Sequence, residues 1–254
     1  MIRVVKVGGR PQSDPQLAGM LASQWDRANA ALVVVHGGGD EVSALQASLG
    51  GAATFVGGRR VTTERDIDVV RMALSGSANK RLVASLVDSG IDAVGLSGED
   101  AGLIAAAPFD VERLGYVGRP CRINVVFLRH LLSGGFLPVV SPVSRDASGS
   151  LGSALNVNGD DAAAAIAVAM GASELLLVAD VAGVMCDGRV IDELTIDGAQ
   201  AMIADGTASA GMRAKLEAAL TAVAGGVTRV RISDIAAIAD ASRGTFLSAI
   251  GELS

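Results

Sequence analysis

Three short clusters of glycine and charge mark this chain: Lys6-Val7-Gly8-Gly9, His36-Gly37-Gly38-Gly39 and Asn156-Val157-Asn158-Gly159-Asp160. Each of the first two follows a β-branched apolar run, Ile2 to Val5 and Leu32 to Val35. Such a run is a buried strand that delivers a glycine loop at its C-terminal end, the edge where open α/β sheets bind ligands. Glycine lets backbone N–H groups approach an anion closely, and a following helix N-terminus adds positive potential. Two such loops beside lysines describe a phosphate site. It is not a Walker A loop or a dinucleotide fingerprint, because neither G-x-x-x-x-G-K-S/T nor G-x-G-x-x-G occurs.

Other residues add to this chemistry. Arg59 and Arg60 are neighbours, and adjacent strand residues point to opposite faces. One of the pair therefore faces a ligand and the other solvent. The planar fork of arginine suits bidentate binding of a carboxylate. Asn156 and Asn158 fit either a turn held by Asx hydrogen bonds or a polar ligand contact. Asp160 opens a helix, where an anion is favoured. Lys215 follows Gly211 at a helix start rich in Ala and Leu. Taken alone it is a solvated helix lysine, just as Lys6 alone is an ordinary lysine at a strand end. His36 reads as structural, satisfied by backbone.

The elements that must position these groups alternate between strand and helix patterns. Strand-like runs occur at Ile2–Val7, Leu32–Val35, Ala93–Leu96, Phe136–Val140, Leu175–Ala179 and Arg229–Ile232. Helical patterns run from Asp14-Pro15 to Arg27, over Glu41–Leu49, from the capping-box-like Thr63-Glu64-Arg65-Asp66 to about Ser89, over Val125–Leu132, Asp160–Met170 and Gly211–Ala224, with a short helix at Ala236–Ala241. Gly51–Thr62 reads as a β-hairpin, and residues 100–123 as irregular or hairpin-rich. The fold class that follows is α/β: a three-layer αβα sandwich with a largely parallel central sheet.

Composition narrows the function. The 254 residues are 50% hydrophobic but only 3% aromatic, so Ala, Val, Leu and Ile must build the core. Net charge is −6 with no basic run, which argues against nucleic acid as the main partner. Cys121 and Cys186 stand apart, outside any C-x-x-C pattern, and read as two reduced thiols. No apolar 18-mer marks a membrane span, and a soluble, cytoplasmic protein is expected.

The motifs, taken in order, resemble the amino-acid kinase family, most closely its acetylglutamate branch. The pieces are K-V-G-G at Lys6, V-H-G-G-G at Val35, G-R-R-V-T at Gly58, G-S-A-N-K at Gly76, A-V-G-L-S-G at Ala93, N-V-N-G-D at Asn156, A-D-V-A-G-V at Ala179 and G-M-R-A-K at Gly211. They extend over nearly the whole chain. The resemblance implies the αβα fold of that family and transfer of the γ-phosphoryl of ATP to the side-chain carboxylate of N-acetyl-L-glutamate, in arginine biosynthesis. It implies Mg2+ bound through phosphates and water, with no protein metal ligand. It assigns Lys6 to the transferred phosphoryl, Lys215 to charge on the β–γ bridging oxygen, and Asp160 to organising both lysines. Gly8 and Gly9 become backbone phosphate donors. Gly38, Gly39, Arg60 and Asn156 bind the acyl substrate, and Asp180 borders the nucleotide. Arg59 is left to solvent. Asp161 is either a surface residue or an alternative organiser.

The resemblance also divides the chain into an N-terminal acyl-substrate lobe, 1–172, and a C-terminal nucleotide lobe, 173–254, within one folding unit. Rival readings are a kinase for a carrier-protein-linked aminoadipate or glutamate, and a non-catalytic amino-acid or nucleotide sensor. The first needs a basic docking surface that an acidic chain lacks; the second should have lost Lys6, Asp160 or Lys215. A homodimer is expected, joined along the helix after Thr63 by Ile67, Val70, Leu74, Leu82 and Leu86, a stripe that could equally pack on its own sheet. In the resembling family an extra helix before the first strand accompanies arginine-sensitive hexamers. Strand-like residues begin here at Ile2, so insensitivity to arginine is expected.

Overall fold

The computed structural model describes residues 1–27, 31–149, 151, 154–186 and 188–248. The last six residues of the expected second lobe, 249–254, lie outside the described residues. Strands β1 (Arg3–Val7), β2 (Leu32–His36), β3 (Ala93–Gly98), β4 (Ile104–Pro108), β5 (Val117–Ile123), β6 (Leu137–Asp146), β7 (Ala154–Val157), β8 (Glu174–Val178), β9 (Glu193–Thr195), β10 (Arg229–Ser233) and β11 (Thr245–Ser248) form one sheet. Its order is β9-β11-β10-β8-β1-β2-β6-β4-β5-β7, with β3 also on β6. Antiparallel pairs occur at β10–β11, β4–β5 and β6–β7; the centre is parallel.

The parallel centre has a level rim. Val7 pairs with His36 on one side and Val178 on the other, and Val178 pairs with Ser233. Both glycine loops leave from this rim. Val4, Val5, Val33, Val34 and Leu176 are fully buried because helices cover both faces. Those helices are α1 (Leu17–Arg27), α2 (Gly39–Ser48), a long α3 over residues 64–88, α4 (Val125–Ser133), α5 (Gly159–Met170), α6 (Ile196–Ala204) and α7 (Ala210–Ala224).

Small residues set the closeness of the layers. Ala163, Ala164 and Ala167 of α5 and Ala218, Ala219 and Ala222 of α7 are buried. At the end of α7, a Cβ on Gly225 would fall 2.3 Å from Val168 of α5. This tight α5–α7 contact brings the starts of both helices together at the rim. The boundary at 172/173 does not divide the sheet, since β1 pairs with β8 across it.

Several elements differ from the sequence reading. Helix α3 begins with the expected capping box, in which Thr63 and Asp66 bond reciprocally. It then carries a π-helical stretch, Met72–Ala78, before resuming as α over Asn79–Asp88. Its stripe of Ile67, Val70, Leu74, Leu82 and Leu86 is buried within the chain's own cores, so the stripe supplies no reason for a dimer. The expected helix at Ala236–Ala241 is a 3-10 turn at Ile235–Ile238. Strands β9 and β11, helix α6 and the hairpin Met185–Cys186/Arg189–Val190 were not anticipated. Among the described residues no helix is long and apolar enough to cross a membrane.

Candidate active site

Lys6 is the last residue but one of β1, and its side chain is buried. Its Nζ lies 2.8 Å from Asp160 Oδ1, with side chains only 7% and 5% exposed. Lys215 Nζ reaches the other carboxylate oxygen, Oδ2, at 3.2 Å. One carboxylate therefore holds two ammonium groups at a defined separation, and the trio carries a net positive charge. Burial alone would raise the Asp160 pKa, but Lys6 and Lys215 together hold it below the usual carboxylate range. Burial pushes Lys6 downward, with Asp160 opposing.

Local chemistry builds this trio. Asn158 caps α5 by accepting hydrogen bonds from the backbone N–H groups of Asp160 and Asp161. Gly159 leaves space for Lys6, since a Cβ there would stand 3.2 Å from Lys6 Cε. Gly38 has φ 147° and a Cβ on it would lie 2.8 Å from Leu74 Cδ2, so the loop closes only with glycine. Gln12 ties the two glycine loops by donating to the carbonyls of Gly37 and Gly8.

Gly8 departs from its expected role. Its N–H donates to the Val178 carbonyl at 3.1 Å, which continues the sheet and removes it as a phosphate donor. Gly37 is similarly bonded to the Val7 carbonyl. The amides of Gly9, Gly38 and Gly39 have no hydrogen-bond partner among the described residues, and these line the cavities.

Two cavities meet at the trio. One, of about 220 Å³, is walled by Gly37, Gly38, Gly39, Arg59, Arg60, Asn156 and Asp160, over an apolar floor of Val42, Val70 and Leu74. The other, of about 500 Å³, is lined by Gly8, Gly9, Arg10, Asp180, Ser209, Gly211 and Lys215. Lys6, Gly9 and Gly39 belong to both.

Arg60 is buried at the first cavity. It donates to Gln46 Oε1, the Gly39 carbonyl and Ser43 Oγ at 3.0, 2.8 and 2.7 Å. Asn156 Nδ2 donates to Thr62 Oγ1 at 2.9 Å. Asp180 borders the second cavity, paired with Arg10 at 2.8 Å; Arg10 was not singled out in the sequence, although it directly follows Gly8-Gly9.

Arg59 and Asp161 differ most from expectation. Arg59 is not solvated: it pairs with Asp161 at 2.8 Å, and both side chains are about 15% exposed or less. Asp161 is thus neither a surface residue nor a second organiser of the lysines. Burial raises its pKa, against the pull of Arg59. His36 is structural, as expected. Its Nδ1 bonds the Gly37 carbonyl and its Nε2 meets Asn79 Nδ2 at 3.0 Å. Asn79 also donates to the Val139 carbonyl, and so ties α3 to β2 and β6. Burial lowers the His36 pKa to about 4, so the ring is neutral near pH 7.

The Amino acid kinase family matches residues 1–234, and the chain belongs to it. Within that family its similar relatives are specific. The chain is 40% identical over 241 residues to the acetylglutamate kinase of Chloroflexus aurantiacus, with 94% of each chain covered. It is 43% identical over 201 residues to the acetylglutamate kinase of Geobacillus kaustophilus, covering 79% of this chain and 77% of that one. Among solved structures, smu.665 from Streptococcus mutans UA159 superposes with a TM-score of 0.87 at 29% identity, covering 98% and 99% of the two chains.

Proposed function

We propose that this chain is an acetylglutamate kinase, transferring the γ-phosphoryl of ATP to the side-chain carboxylate of N-acetyl-L-glutamate to give N-acetyl-L-glutamyl 5-phosphate and ADP, in arginine biosynthesis. The observation that carries the reading is the junction of two cavities at Lys6, Gly9 and Gly39, directly over the Lys6–Asp160–Lys215 trio. Phosphoryl transfer asks for in-line positioning and charge neutralisation rather than covalent help. The acceptor occupies the smaller cavity, its carboxylates toward Arg60, Asn156 and the amides of Gly38 and Gly39. The phosphates of ATP occupy the larger one, toward the Gly9 amide, with Asp180 at its border.

In this arrangement Lys6 meets the transferring phosphoryl and Lys215 meets charge growing on the β–γ bridging oxygen. Asp160 keeps both ammonium groups in place. The acceptor carboxylate is ionised at neutral pH, so no general base is required. Mg2+ enters as MgATP, held by phosphate oxygens and water; both oxygens of Asp160 are engaged by lysines. The acceptor side belongs to residues 1–172 and much of the nucleotide side to the remainder. We further propose a cytoplasmic homodimer. The outward Met72 and Val87 of α3, both about half exposed, support that contact.

Hydroxylamine trapping of acyl phosphate tests the activity, with ATP and a panel of N-acetyl-L-glutamate, N-acetyl-L-aspartate, free glutamate and carbamate. Hydroxamate from N-acetyl-L-glutamate above the others supports the reading. No product from it, with product from another acceptor, overturns it.

A further inference from the structure

The hairpin Phe55–Val56/Arg59–Arg60 is a two-stranded sheet of its own, unpaired with the main sheet. Each strand is two residues long, and a hairpin of that size does not hold itself in water. Backbone bonds of Thr62 to Leu114 and Tyr116 hold its trailing end, and side chains fix the rest. Arg60 points one way and bonds Gln46 and Ser43 of α2 and the Gly39 carbonyl. Arg59 points the other way. Its Nη1 lies 2.8 Å from Asp161 Oδ2 on α5, and its Nη2 lies 4.0 Å from Glu217 Oε2 on α7. The same guanidinium lies 5.5 Å from the centroid of the Phe109 ring. The hairpin is strung across the acceptor cavity between these two anchors, and both arginines line that cavity.

The far anchor is not arbitrary. Asp161 directly follows Asp160 under the same Asn158 cap, and Glu217 stands two positions after Lys215 on α7. One guanidinium therefore touches the hairpin that carries Arg60, the helix that carries Asp160 and the helix that carries Lys215.

We propose that Arg59 is a positioning residue that couples seating of the acceptor hairpin to alignment of the lysine–aspartate centre. This rests on the kinase reading above. Asp161 is the group that makes the coupling costly to lose. Without Arg59 it is a buried carboxylate beside Asp160 that has lost its ion-pair partner, an uncompensated charge at the start of the helix that holds Asp160. The charged groups facing it are Arg59, Asp160, Arg119 and Glu217.

The test compares wild type, Arg59→Leu, Arg59→Lys and Arg59→Leu/Asp161→Asn. In Arg59→Leu the KM for N-acetyl-L-glutamate should rise about tenfold and kcat should fall about tenfold, with the KM for ATP within about twofold. Adding Asp161→Asn should recover most of kcat and leave the acceptor KM high. Arg59→Lys should lie between wild type and leucine. A merely structural role would lower the active fraction alone, with no KM change and no rescue, and would overturn the proposal. So would Arg59→Leu kinetics equal to wild type.

A second readout needs no turnover. Amide hydrogen exchange over residues 54–61 should quicken about tenfold in Arg59→Leu while β1 is unchanged; unchanged exchange there overturns the anchoring. If wild type itself leaves N-acetyl-L-glutamate unphosphorylated, the kinase reading fails, and exchange still decides whether Arg59 anchors the hairpin.

Discussion

Lys6 and Lys215 approach opposite oxygens of Asp160, at 2.8 and 3.2 Å. The carboxylate thus sets the distance between two cations that would otherwise repel each other. Replacing either lysine by alanine should lower kcat by about 10²–10³ and change ATP affinity far less, because each meets charge that develops during transfer. Steady-state kinetics beside calorimetric ATP binding checks this. Near-normal turnover in either variant removes that lysine from the mechanism.

Arg60→Lys should raise the KM for N-acetyl-L-glutamate by about tenfold, since lysine keeps the charge but loses the planar fork and its charge-assisted bonds. The KM for ATP should stay nearly constant. A selective ATP defect would move Arg60 to the nucleotide side.

Gly38→Ala should destabilise the fold by about 1–3 kcal/mol, because φ 147° is costly for any residue with a Cβ. The added carbon also meets Leu74 at 2.8 Å. Urea unfolding measures the loss, and Gly39→Ala serves as comparison, since a Cβ there meets nothing within 4 Å. Equal midpoints for the two variants would contradict the steric argument.

Stability should also depend on pH through His36. Its pKa falls from 6.5 to about 4 on burial, so below 6.5 the unfolded chain takes up a proton that the folded chain refuses. The stabilisation is complete above about pH 6.5 and is lost progressively as pH falls toward 4. It is of the order of 3 kcal/mol. Denaturant unfolding between pH 4 and 7 should show a shallower slope in His36→Asn than in wild type. Parallel slopes would assign the acid sensitivity elsewhere.

Much of this was legible in the sequence because its causes are local. Leu32–His36 is buried throughout and built on three consecutive β-branched valines, so its pattern needs no tertiary knowledge. Thr63 and Asp66 cap α3 across three residues, and the Asx turn open at Asn158 is its cap on α5. The assignment of Asp160 came through resemblance, because its contacts with Lys6 and Lys215 join residues far apart in the chain. Arg59 was not legible: its partner Asp161 lies 102 positions away, and no spacing rule reports which of two adjacent arginines finds a buried carboxylate. Gly8 failed for a related reason, since continuation of β1 past Val7 depends on the Val178 carbonyl of another strand. The edge strand Glu193–Thr195 is too short to show a period. The π stretch, Met-Ala-Leu-Ser-Gly-Ser-Ala, holds no proline to mark it.

That π stretch makes α3 a helix of fixed phase. Leu74 within it must lie against Gly38, while Asn79 just beyond it must reach His36. Each residue of an α-helix turns the chain by about 100°. Removing one residue between 72 and 78 would return the coil to ordinary α spacing and leave Asn79 and residues 79–88 near their present phase, because a π turn holds one residue more than an α turn. A one-residue deletion is therefore absorbed at this point of α3, whereas the same deletion in its regular turns would rotate everything beyond it by about 100°.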